Sequence, residues 1–249
     1  MGTGRAVDLG KLVRNAVTDH EVILARLAEL AAFDHGRENF ALRMALACKL
    51  ILGVDGAAIT VENNTPRRTT LCATNDVVAR LEDLQDVTGE GPCRDAYRLN
   101  EPVVATIDED SGKRWPTFGP AALHAVGQLT TLTFPMRADG QLYGAISVYV
   151  AGDHELPEPL RIAQFLVDAI GATLLHAPAT DLVGGDRPWA PRPAVHQATG
   201  MVIAQLGVPP ADALALLRAH AYATDQTLAD VADQVVDRRL DFKDLDHGD

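Results

Sequence analysis

The sequence predicts an α+β fold, an antiparallel sheet flanked by helices, followed by an all-α three-helix bundle. Three observations carry this reading. Two pairs of β-rich runs are each joined by a short turn signal, and helical patterns bracket them. A proline-rich stretch, HAPATDLVGGDRPWAPRP at 176–193, then separates them from three helical segments with sharp stops.

The elements follow in order. Residues 18–33 place Ile23, Leu27 and Leu30 at i, i+4 and i+7 behind Thr18 or Asp19 as N-cap. This amphipathic helix would either cover the next domain's core or form a dimer seam, and Asp34, His35 and Gly36 end it. A second helical pattern over 38–52 runs into Gly53-Val54-Asp55-Gly56. AAITVE and TTLCATN then form a hairpin about Asn63-Asn64-Thr65-Pro66. A short helix over 77–84, the segment GEGPC at 89–93, another short helix and the strand PVVATI come next, with weakly structured chain to about Trp115. Helical residues over 120–126 lead into LTTLTFPMR (129–137) and LYGAISVYV (142–150). Between them the Asp139-Gly140 turn is a strong hairpin signal. A helix over 157–175 closes this part.

Beyond the prolines, a helix over 194–206 stops at Gly207, a residue that accepts the positive φ of a helix end. The next starts after Pro209-Pro210 and runs to Ala223. The last opens at Thr227 with Asp230 three residues on, a capping-box spacing, and continues to about Leu240. The expected organisation is an N-terminal segment (1–37), an α+β domain (38–176), a linker (177–193) and a helical domain (194–243).

The chain has 249 residues, 47% hydrophobic but only 5% aromatic, so its core must be mainly aliphatic. A net charge of -12 works against non-specific attraction to nucleic acids or anionic membranes. Any nucleic-acid contact must therefore be local and shape-selective. The start carries no cationic stretch leading into an apolar run, and no apolar stretch approaches the roughly 18–20 residues of a membrane span. A cytoplasmic protein without membrane association is expected. Cys48, Cys72 and Cys93 are odd in number and lie at no metal-ligand spacing, which suits reduced thiols and no metal site. No triad or paired-carboxylate arrangement emerges, so no catalytic residue is assigned and no cofactor is expected.

The stretch AVHQATGMVIAQLGVPPADALALLRAHAYATDQTLADVADQVV resembles the ANTAR family through Gln197-Ala198-x-Gly200, the Gly207 stop, Ala213, Leu217-Arg218, Ala221, Leu228 and Val231-Ala232. The upstream half resembles GAF domains over about 38–176, through GEGPCRDAYRLNEPV, RWPTFGPAA and LTFPMRADGQLYGAISVY. GAF followed by ANTAR is an architecture of actinobacterial regulators. The resemblance implies a homodimeric, signal-responsive transcription antiterminator that binds tandem RNA hairpins in nascent transcripts. It also implies an RNA-binding set of Ala198, Thr199, Gly200, Arg218, Ala221 and Tyr222. Small side chains let the backbone approach a loop, Arg218 offers a planar fork to phosphate, and Tyr222 a stacking ring. The same small residues also suit close helix packing. This chain departs from the family at Thr199, where many members carry a basic residue, and near Asp225, Gln226 and Thr227, where basic or amide residues are usual. The bundle's positive charge is therefore depleted.

In the GAF-like half, Leu71, Leu132 and Ile146 are candidates to line a small-molecule pocket, and they fit ordinary core equally. The residue set of cyclic-nucleotide-binding GAF domains is absent, and a lone His124 does not make a haem site. Two rival readings remain. GEGPC is similar to the Gly-x-Gly-x-Cys of free-methionine-(R)-sulfoxide reductases, which makes Cys93 a candidate redox or nucleophilic thiol. Alternatively, the last helices form a DNA-binding helix-turn-helix. The acidic residues Asp230, Asp233 and Asp237 suit a major groove poorly, so DNA is not the expected partner.

Overall fold

Strand pairing follows the two turn signals. The computed structural model describes residues 9–32, 40–62, 68–152, 159–177, 193–224 and 226–245. The helix break at 34–36, the turn at 63–66 and nearly all of the linker expected at 177–193 lie outside the described residues. β1 (Gly56–Glu62) pairs with β2 (Arg68–Ala73), and β4 (Leu129–Ala138) with β5 (Gln141–Ala151), both antiparallel. β3 (Val103–Ile107) adds to β4, and β5 pairs with β1, giving one five-stranded sheet in the order β2-β1-β5-β4-β3. Asp139 and Gly140 take φ of 50° and 73°. Positive φ at both central residues is what a type I′ hairpin requires.

Period-two alternation divides the sheet between two layers of helices. α1 (Leu9–Ala32), α2 (Phe40–Leu52) and α6 (Leu160–Leu175) cover the face carrying Ile59, Phe134, Ile146 and Val148. α3 (Asp76–Thr88), α4 (Pro92–Leu99) and α5 (Phe118–Val126) cover the other, where Ala58 and Tyr149 meet Val78, Leu81 and Phe118. α1 begins at Leu9 rather than at 18. Its Ile23 and Leu27 sit in the first core, and His20 stacks on Phe165 of α6 with centroids 3.9 Å apart. Burying two such aliphatic side chains stabilises by about 1.5–3 kcal/mol each. That stripe covers the domain core.

Side-chain caps set where α3 lies. Asn75 accepts the Val78 N–H (3.2 Å) through Oδ1 and donates through Nδ2 to the Asp55 carbonyl (2.9 Å) and the Tyr149 hydroxyl (3.0 Å). Gly89 ends the helix at φ 73° and donates its N–H to the Gln85 carbonyl. The chain expected to be weakly structured before Trp115 contains a 3₁₀ turn, Ser111–Lys113. Ser111 Oγ ties it down by accepting the Asp108 N–H (2.8 Å).

The bundle consists of α7 (Pro193–Leu206), α8 (Pro210–Ala223), α9 (Leu228–Val236) and a short α10 (Phe242–Leu245) that sequence patterning did not indicate. Gly207 at φ 68° ends α7 and donates its N–H to Ile203. Thr227 and Asp230 form the expected capping box. α9 stops at Val236, short of the expected Leu240, because the chain turns through Arg238 at φ 59° and returns the Arg239 and Leu240 N–H groups to the Gln234 carbonyl. The turn brings Phe242 into the core of Val202, Leu217, Leu228 and Val235. Among the described residues no helix is long and apolar enough to cross a membrane.

Gly144 of β5 pairs with Val61 of β1, and a Cβ there would press on the Thr60 carbonyl and Val61 Cα. Both are backbone and cannot swing aside. Gly144→Ala is expected to lower stability by about 1–3 kcal/mol, read as a lower urea midpoint with an unchanged m-value.

Candidate functional site

The sheet face beneath α3 and α4 has a polar interior. Arg68, at the start of β2, is buried and donates through Nη2 to Glu82 Oε2 at 2.8 Å and to Cys93 Sγ at 2.9 Å. Glu82 Oε2 also accepts the Thr60 hydroxyl (3.1 Å), and Oε1 accepts the Gln85 amide (3.0 Å). Gln85 Oε1 in turn accepts the Cys93 N–H at the head of α4. Thr133 and Ser147 bond across neighbouring strands at 3.2 Å. Arg68 Nη1 stands 3.8 Å from Asp86 Oδ1, a looser ion pair than that to Glu82. Burial pushes the Asp86 carboxyl above its usual range; Arg68 pulls it back, the like charge of Glu82 pushes it further up, and Arg218 pulls it down more weakly.

GEGPC folds around this network. Gly89 closes α3, and Gly91 takes φ 124° against Gln85, whose side chain occupies the place of any Cβ. Glu90 reaches forward to accept the N–H groups of Thr117 and Phe118 at 2.8 and 3.1 Å, capping α5. Pro92 opens α4. Cys93 is 1% exposed, and burial pushes its thiol up to about 12, a change that Arg68 only partly offsets. A reactive thiol needs the opposite environment.

The residues singled out from sequence separate in space. Leu71, Leu132 and Ile146 lie in the core facing α1, α2 and α6, away from the polar interior. An opening of about 380 Å³ lies instead over Arg68, between Glu62, Tyr97 and Trp115. His124 is exposed on α5. In the bundle, Ala198 and Ala221 are core residues, and Thr199 is buried with its hydroxyl on the Val195 carbonyl (2.6 Å). Gly200 is exposed, and a Cβ there would meet nothing within 4 Å. Packing does not require this glycine, which costs a helix interior about 1 kcal/mol relative to alanine.

Arg218 and Tyr222 lie on the side of α8 turned to the sheet domain. α8 packs along α3, Val87 of α3 joins the edge of the bundle core, and Asp86 lies in the field of Arg218. Tyr222 is half exposed and shares a cleft of about 410 Å³ with Ala221, with Arg80, Asp83 and Val87 of α3, and with His124 of α5. Sequence patterning missed Arg68, Glu82, Gln85 and Asp86. For Glu82, Gln85 and Asp86 the only signal was polarity at i, i+3 and i+4 along the inward side of α3, and such spacing does not say that a helix face is buried; nothing marked Arg68. Among the described residues no group of three or more His, Cys, Asp or Glu is placed to hold a metal.

Residues 41–174 match the GAF domain family, and residues 190–236 match the ANTAR domain family. No curated protein matches the chain. Among solved structures it is similar to the GAF domain of a phosphoenolpyruvate-protein phosphotransferase from Coxiella burnetii, with 15% identity and a TM-score of 0.45 over 66% of this chain and 96% of that one. It is also similar to a GAF domain/HD domain protein from Geobacter sulfurreducens, with 15% identity and a TM-score of 0.41 over 53% and 88% of the two chains.

All three thiols are buried and pushed up to about 12 by desolvation first. In the native protein none should react with iodoacetamide at pH 8, and all three should after unfolding in guanidinium, read by mass spectrometry. A native adduct at Cys93 would contradict this. The native state holds these protons that the unfolded chain gives up near pH 9. Stability is therefore full below pH 9 and falls as pH rises toward 12.

Proposed function

The chain belongs to the GAF domain family, with an ANTAR domain behind it, and from that pairing we propose that it is a signal-responsive regulator of transcription termination. In this reading the GAF half senses a small molecule, and the ANTAR half binds tandem hairpins in nascent RNA as part of a cytoplasmic homodimer. The observation that carries it is the succession of the two domains in one chain, a sensing fold followed by an RNA-binding one. Gly200 adds support. A glycine retained on an open helix surface lets a partner's backbone or base come close, and single-stranded RNA loops offer such groups.

Charge sets the expected character of binding. The described bundle carries Arg218, Arg238, Arg239 and Lys243, and Arg239 is paired with Asp237 at 3.0 Å. Few phosphates can be neutralised, so salt dependence should be shallow and affinity should depend on two bundles engaging two hairpins. The sensor's ligand would enter over Arg68, where Arg94, Arg98, Tyr97 and Trp115 line the opening together with the carboxylates of Glu62, Glu90 and Asp95. The buried, protonated Cys93 does not favour a thiol enzyme, and the acidic α9 does not favour a DNA reader.

Binding of the purified chain to a transcript carrying tandem hairpins, beside duplex DNA and at two salt concentrations, tests the proposal. Hairpin-selective binding is expected, with Arg218→Ala weakening it by about ten- to a hundredfold, the worth of a charge-assisted hydrogen bond. Equal indifference to both nucleic acids would overturn it.

A further inference from the structure

α3 belongs to two environments at once. One side contributes Glu82, Gln85 and Asp86 to the interior around Arg68, and the other seats the bundle through Asp83 and Val87. Asp83 and Asp86 are each only 8% exposed, although acidic residues on a domain's outer helix ordinarily stay in water. What α8 brings to that helix includes Arg218. A carboxylate presents to a guanidinium the same charge and paired oxygen acceptors as a phosphate.

We propose that α3 of the GAF domain is an intramolecular lid on the ANTAR domain, its Asp83 and Val87 covering the Ala221 and Tyr222 side of α8, so that RNA binds only once α8 leaves α3. This rests on the RNA-binding reading above and adds how that binding is controlled. Three features fit a seat that opens. Contact between domains of one chain is by default modest and reversible. The cleft of about 410 Å³ beside Ala221 and Tyr222 leaves this seam incompletely packed. Asp86 also faces Arg68 from across the sensor interior at 3.8 Å. A ligand that drew Arg68 toward the opening above it would therefore change the charge pairing on α3 itself, linking the sensor to the lid through one helix.

The test uses the full chain with Val87→Asp, which places a charge in the apolar seat without altering a residue of the sheet domain's core. Hydrogen exchange of 76–88 and 210–223 reports undocking, and fluorescence anisotropy with a tandem-hairpin transcript reports affinity. The expected result is faster exchange in both segments and RNA binding tightened about tenfold or more, as when a minor competent state becomes the major one. Val87→Asp with Arg218→Ala should lose that gain. The added negative charge opposes RNA, so a gain cannot come from electrostatics. If exchange rises while hairpin affinity stays equal or falls, the lid is overturned and the RNA-binding reading stands. If neither wild type nor variant binds hairpins, both fall. Should the variant unfold the bundle, the wild type decides: RNA binding should speed exchange across 76–88, and unchanged or slower exchange there would overturn the lid.

Discussion

The buried contact between Arg68 and Glu82, 2.8 Å long with side chains 5% and 1% exposed, is the constraint on which the arrangement above the sheet depends. Two charges so placed are stable only when their remaining hydrogen-bonding capacity is met, and losing one partner of such a pair costs about 3–5 kcal/mol. Here Thr60 and Gln85 complete Glu82 and Cys93 Sγ shares Arg68 Nη2, while Arg68 Nη1 faces Asp86 Oδ1 at 3.8 Å without a hydrogen bond. The result fixes the height and rotation of α3 over β1 and β2. A helix held only by apolar packing would have more freedom to slide.

Much else takes its place from α3. Gln85 receives the first amide of α4, Gly89 and Gly91 let the chain turn closely around Gln85, and Glu90 reaches on to cap α5. The five residues GEGPC thus join three helices in succession. In this junction the glycines let the chain turn tightly enough to bury Cys93.

The bundle shows a different balance. Its core is built largely of alanine and valine, so its helices approach closely and the small residues Ala198 and Ala221 are absorbed by packing. Gly200 is not. With so few cations on the bundle, the placement of Arg218 on the helix that packs along α3 matters more than its number suggests, because in a partly buried seam charge is screened weakly.

Local chemistry made much of this legible in advance. Asp139-Gly140 specified the β4–β5 hairpin, Gly207 the end of α7, Thr227 with Asp230 the start of α9, and Ile23 with Leu27 a covering stripe, since each acts through backbone conformation or periodicity within a few residues. The motifs around Gln197, Gly200 and GEGPC marked the two families. What no local pattern carried was which side of the sheet Leu132 and Ile146 would face, that Arg68 would meet Glu82 across fourteen positions of chain, that Cys93 would be sealed from solvent, or that α8 would rest on α3. The sequence by itself determined most of the elements, their order and the families they belong to, but not the 3₁₀ turn before Trp115 or the short α10. Only the tertiary structure decided which charges were buried together, because burial depends on what lies on the far side of a residue, and that neighbour is distant in the chain.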